Sequence, residues 1–267
     1  MIIRAYFGID QNPFSFNNIK LLEHQQEVYD ILDVHSNMGG FCMVSGDAGT
    51  GKSVIKESII QNKDKSKVVI SVGRTLHTYT NTVKIICDAF KIDQKGDSFK
   101  CENKLLEQVN ALNQSGKSII TMIDDAHLLE MSSLNKLRLL FEEFPKNHNL
   151  ILFGLPVMIN KIMLQEYIEI RSRVTYSVVM SKLNPEQIKE LILKQLDSVG
   201  LGHNTFTDGA IEIISRASEG NLRYIRNLCL SSLLEAVREQ KKQVNHHIVN
   251  KVLIQPHWRN DYDMEQI

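Results

Sequence analysis

The residues Gly46-Asp47-Ala48-Gly49-Thr50-Gly51-Lys52-Ser53 satisfy G-x-x-x-x-G-K-[ST], and their setting decides the fold. The apolar run 40–45 before them reads as a buried strand, and residues 54–61 after them carry the spacing of three and four that marks a helix. Small residues let backbone N–H groups curl around a phosphate, and the dipole of the following helix strengthens that anion site. The pattern therefore predicts a triphosphate cradle made by Gly46, Asp47, Ala48, Gly49, Thr50 and Gly51. Lys52 would reach the β and γ oxygens and the Ser53 hydroxyl would ligate Mg²⁺, so ATP and Mg²⁺ are the expected cofactors.

Outward from this stretch, residues 67–72, 118–123 and 150–153 are further near-continuous apolar runs, and 174–179 is strand-like. Strands apolar on both faces belong to a parallel sheet covered by helices, and 75–90, 103–113 and 133–144 have the periodicity of those helices. The run Ile119-Ile120-Thr121-Met122-Ile123 ends in Asp124-Asp125. Acidic residues at a strand end are common turn formers. With a phosphate loop upstream, Asp124 is expected to hold Mg²⁺ through water and Asp125 to orient or deprotonate the attacking water.

Beyond residue 180 the pattern becomes all-helical, over 185–199, 207–218, 221–240 and 244–253, the first opening at Asn184-Pro185-Glu186. The expected organisation is an α/β nucleotide domain over 1–180, a smaller helical lid over 181–254 and a polar tail over 255–267 with Trp258. A chain of 267 residues with 43% hydrophobic content can bury such a core. Lys plus Arg and Asp plus Glu both total 31, so no global field draws nucleic acid or a membrane, and any such surface must be local.

Cys42, Cys87, Cys101 and Cys229 lack paired zinc spacing and read as reduced, buried thiols. His127, His246, His247 and His257 have no partners at metal-ligand spacing and read as surface or supporting residues. With no leader and no apolar run of about 18 residues, a cytoplasmic protein without a membrane partner is expected.

Taken together, these residues resemble AAA+ ATPases of the group that includes the ExeA/GspA secretion ATPases and the TnsC and TniB transposition regulators. The opening Tyr6-Phe7-Gly8-Ile9 with Asn12-Pro13-Phe14, then His24, then Gly39-Gly40-Phe41 is similar to the amino-terminal signature of that group. The resemblance makes Phe14 and Ile9 candidate contacts to the adenine, while Phe14 also reads as an ordinary core aromatic. Glu219-Gly220-Asn221-Leu222-Arg223 resembles the sensor 2 motif, which implies that Arg223 reaches the γ-phosphate, with Arg226 one turn on and solvated.

Arg171-Ser172-Arg173 is similar to the segment carrying the arginine finger, with Arg173 the first candidate and Arg171 the second, though both also read as surface arginines at a strand edge; the resemblance implies a homo-oligomer in which the finger serves the neighbour's ATP. Two residues depart from the pattern. Asp125 stands where the group has Glu, which implies slow hydrolysis, and apolar Leu155 stands near the sensor 1 position.

Within the group, the transposition role implies assembly on duplex DNA and delivery of target to a transposase. The hydroxyl-rich and basic stretch after the second strand supplies the candidate backbone contacts Arg74, Thr78, Thr80 and Lys84, which also read as a plain turn into a helix. ExeA-type proteins continue into a membrane span and an envelope-binding region, whereas this sequence stops at Ile267, which tilts the expectation toward DNA. The alternatives are an envelope-secretion ATPase and an ATP-binding clamp with little hydrolysis.

Overall fold

In the computed structural model, residues 2–15, 21–62, 64–73, 78–93 and 98–255 are described. The expected strands form one parallel sheet of β1 (Gly40–Gly46), β2 (Lys67–Val72), β3 (Ser118–Ile123), β4 (Asn149–Gly154) and β5 (Tyr176–Met180), in the order β2-β3-β4-β1-β5. The register pairs Val44 with Phe153 and with Val178, which brings the carboxyl ends of β1, β4 and β5 to one edge.

The apolar runs are near-continuous because both faces of the sheet are covered. Helices Tyr79–Ala89, Ser98–Gln114 and Met131–Glu142 supply the core with Phe41, Met43, Val72, Ile119 and Leu152. Glu23–Met38 and Lys52–Gln61 also pack against the sheet. Ile86, Leu105, Leu137, Ile151 and Phe153 are fully buried. Each such side chain contributes roughly 1.5–3 kcal/mol of transfer free energy, so this packing rather than helix propensity fixes the unit. All four cysteines are free and buried, as expected. Burial pushes the Cys42 thiol up to about 11 and that of Cys87 to about 12, which keeps them unreactive.

The chain divides into two compact units, one over residues 23–181 and one that joins residues 1–22 to 182–267. The first segment therefore packs with the helical part rather than with the sheet domain expected over 1–180. Ile3, Ile9, Phe14 and Leu22 enter the core made by Ile188, Leu196, Ile214, Leu228 and Val249, and helix Ile2–Phe7 lies against Leu222–Arg238. The helices beyond residue 180 run Pro185–Asp197, Asp208–Ser218, Leu222–Arg238 and His246–Leu253. Val244 lies outside the last of them because it forms a parallel bridge with Phe206. The tail with Trp258 and the candidate contact Arg74 lie outside the described residues.

Glu219 and Gly220, both at positive φ, close helix Asp208–Ser218, and the Gly220 carbonyl accepts from Leu183 N at 3.0 Å. A Cβ at Gly220 would sit 2.3 Å from Leu183 O and 2.8 Å from Leu183 N, both backbone atoms that cannot step aside. Gly220→Val is therefore expected to lower the unfolding free energy by about 2–4 kcal/mol in urea titration. A loss below about 1 kcal/mol would mean that this turn is not held as described.

Candidate functional site

The carboxyl edge of a parallel sheet is where its loops gather and where ligands bind. There β1 runs into the loop 47–51, whose curl depends on Gly49 at φ 81 and Gly51 at φ 101, a region closed to most side chains. Gly46 is tighter still, since a Cβ would lie 2.6 Å from Thr50 Oγ1 and 2.8 Å from Met180 O. The buried Thr50 hydroxyl donates to Asp47 O at 2.9 Å and closes the loop from inside. Helix Lys52–Gln61 then starts from Gly51 without a side-chain cap. Its first N–H groups and dipole therefore suit an anion rather than a protein side chain.

Lys52 Nζ donates to Gly46 O at 2.5 Å and to Asp47 O at 2.8 Å, which lays the ammonium over the carbonyls of its own loop. Ser53, next on the helix, is exposed. Two strands away in the sheet, Asp124 N donates to Val72 O at 2.9 Å and extends the β3 ladder by one residue. Its carboxylate is held twice: Oδ1 accepts from Asp125 N at 3.0 Å, and Oδ2 is ion-paired with Lys56.

Asp125 adopts a left-handed conformation at φ 51 and leaves its side chain 60% exposed. That turn carries the chain into Ala126–Leu128, where His127 Nδ1 stands 4.0 Å from Asp125 Oδ1. At the end of β4 a Cβ on Gly154 would come within 3.2 Å of His127 N, so the absence of a side chain lets this turn approach the sheet. Leu155 follows and is half-buried.

The donors fit Mg²⁺. A serine hydroxyl and one carboxylate are hard oxygen ligands of the kind that hold Mg²⁺ together with phosphate oxygens and waters. Among the described residues no cluster of three His, Cys, Asp or Glu forms that would favour a metal held by protein alone.

The structure places Arg173 elsewhere. It precedes β5 and so lies at the amino edge of the sheet, where Thr175 Oγ1 accepts from Phe41 N at 3.1 Å. From Phe41 to Gly46 the strand climbs roughly 16 Å at about 3.3 Å per residue, so Arg173 and the phosphate loop stand at opposite ends of the same unit. The Arg173 side chain is 60% exposed, and its Nε bonds Glu142 at 2.9 Å. Arg138 holds the same Glu142 oxygen at 2.6 Å. These residues line a pocket of about 360 Å³ with Phe144 and His148. Burial pulls the His148 imidazole down to about 3, so it stays neutral beside Thr121 Oγ1 at 2.9 Å. Arg171 donates to Met163 O at 3.0 Å.

In the helical unit, Asn221 caps Leu222–Arg238 by accepting from Arg223 N and Tyr224 N, which puts an exposed Arg223 on the first turn. Arg226 is not solvated as expected: it is half-buried and donates to Phe14 O at 3.1 Å. Ile9 and Phe14 are core residues of this unit, with the Phe14 ring edge-on to Phe206 at 6.0 Å.

Thr78 and Thr80 are exposed at the start of Tyr79–Ala89, and Lys84 lies one turn beyond Thr80 on the same helix face. Thr78 O accepts from Thr82 N at 3.0 Å and from Thr82 Oγ1 at 2.9 Å, so this hydroxyl-rich stretch is also an ordered helix start.

Sequence reasoning did not single out Lys56. The available signal was its spacing, three residues after Ser53 and four after Lys52, which places all three on one helical face.

Residues 36–163 match the family described as AAA domain. Over 251 residues the chain is 23% identical to the general secretion pathway protein A of Aeromonas hydrophila. That match covers 90% of this chain and 46% of the relative, so the chain spans about half the relative's length. Among solved structures it resembles Cdc6p from Pyrobaculum aerophilum, with a TM-score of 0.71 at 17% identity over 88% of this chain and 68% of that one. It also resembles the Drosophila ORC bound to DNA, with a TM-score of 0.70 at 14% identity over 99% of this chain and 68% of that one. At these identities the structural likeness establishes the fold. No described helix is long and apolar enough to cross a membrane.

Proposed function

We propose that the chain, an AAA+ protein of the ExeA-like group by its AAA domain match over residues 36–163 and its likeness to the secretion protein, binds and hydrolyses ATP and that ATP-bound copies assemble on duplex DNA. The observation that supports the assembly is the position of Arg173, at the sheet edge opposite the phosphate loop of its own copy, with its side chain exposed. In this reading the loop 46–51 and Lys52 hold the triphosphate. Ser53, and Asp124 through water, would hold Mg²⁺, which when bound would supply positive charge to the phosphates. Asp125 takes a proton from the water that attacks the γ phosphorus, and the bond to the ADP oxygen breaks.

Arg173 of the neighbouring copy stabilises the charge on the transferring group, and Arg223 reads the third phosphate. The short, exposed carboxylate of Asp125 favours slow turnover, which suits a switch.

Support for DNA comes from exposed Thr78 and Thr80 with Lys84 beyond them, groups that suit phosphate oxygens. A likeness to an assembly whose name says it is bound to DNA points the same way. A transposase as client and a cytoplasmic location complete the proposal. The second reading, a secretion-pathway ATPase, is favoured by the curated relative.

Fluorescence anisotropy of a labelled duplex separates the two. Binding at least about tenfold tighter with a slowly hydrolysed ATP analogue than with ADP, and weakening as salt rises, is the expected result. Equal absence of binding in every nucleotide state would remove DNA and leave the secretion reading.

A further inference from the structure

Helix Lys52–Gln61 brings two ammonium groups to the phosphate site, and only Lys52 is explained by the phosphate. Lys56 lies one turn deeper on the same face, and its ammonium is ion-paired with Asp124 Oδ2, the pair being 18% and 21% exposed. Ser53 lies three residues before it, so the serine and lysine side chains are neighbours on the helix surface. A divalent cation held by Ser53 and, through water, by Asp124 would draw on the same carboxylate charge. The second carboxylate oxygen, Oδ1, is already used by Asp125 N at 3.0 Å.

We infer that Lys56 is a positioning residue that acts as the resident counter-ion of Asp124 and competes with Mg²⁺ for it. The inference rests on the proposed reading of Ser53 and Asp124 as the Mg²⁺ ligands. Two cations cannot share one small carboxylate without repulsion, so Mg²⁺ enters only when nucleotide phosphates add negative charge and give it further oxygens. The ion pair thereby makes metal capture conditional on nucleotide. It also keeps Asp124 from being a half-buried, uncompensated charge in the free protein.

The test is equilibrium binding of a fluorescent ATP analogue by the whole chain across a Mg²⁺ titration, for wild type, Lys56→Met and Lys56→Arg. Removing the charge is expected to lower the Mg²⁺ midpoint roughly 3- to 10-fold, the range of a partly exposed ion pair. Lys56→Arg keeps the charge and is expected to keep the wild-type midpoint, which a purely steric role for the side chain would not require. Lys56→Gln gives the same comparison should the methionine variant fail to fold.

A midpoint unchanged or raised in the neutral variants, with wild type still Mg²⁺-dependent, overturns the inference alone. Wild-type binding that ignores Mg²⁺ overturns the ligand reading beneath it, and the inference with it.

Discussion

Lys52→Ala is expected to weaken ATP binding by roughly 10²- to 10⁴-fold and, when no other copy carries ATP, to abolish turnover and ATP-dependent assembly. In the free protein the ammonium donates to Gly46 O and Asp47 O, so it already stands inside the loop. When phosphate arrives, those bonds are exchanged for charge-assisted bonds to its oxygens, worth about 1.5–3 kcal/mol each. Two such bonds correspond to the stated loss of affinity. The curl of the loop is set by Gly49 and Gly51 at positive φ and by the Thr50 hydroxyl on Asp47 O, so the variant is expected to fold. Isothermal titration calorimetry with MgATP reads the effect. A loss below about tenfold would move the phosphate site away from residues 46–53.

Arg173→Ala is the second large effect: turnover falls by about 10³-fold or more while ATP affinity stays within about threefold. An arginine that meets the transferring phosphoryl group stabilises charge present only in the transition state, which is why such residues govern turnover rather than binding. The fold is expected to tolerate the change. The pair with Glu142 is 60% exposed on the arginine side, a class of ion pair that contributes little, and Glu142 keeps Arg138 at 2.6 Å. Single-turnover and steady-state phosphate release separate the two parameters. Unchanged turnover would remove Arg173 from the chemistry and transfer the role to Arg171.

The sheet was legible because its strands are short apolar runs bounded by the motifs themselves. Residues 67–72 and 118–123 were read to the residue, β1 to within one at its carboxyl end, and β4 to within one at each end. The phosphate loop was legible because its glycines and its lysine have one physical use together. The packing of this opening segment was not, since an apolar residue such as Phe14 can be read as core without any sign of which core it joins. Arg226 was misread as solvated for the same reason, as its acceptor, Phe14 O, is brought to it only by tertiary folding.

Lys56 was hidden by its chemistry. On a helix that also carries Glu57 and Gln61 it resembles any surface lysine, and only the fold puts Asp124 beside it. The left-handed turn at Asp125 was likewise invisible, because a non-glycine residue gives no local sign of positive φ.

The most direct measurement of the central claim, an ATP site completed by a second copy, is the ATPase rate of Lys52→Ala mixed with Arg173→Ala. Each variant alone is expected to be silent, the first without nucleotide and the second without its finger. In the mixture, contacts that set ATP on an Arg173→Ala subunit against the intact Arg173 of a Lys52→Ala subunit are complete, and turnover is expected to rise far above the sum of the separate rates. A mixture no more active than that sum would contradict the account.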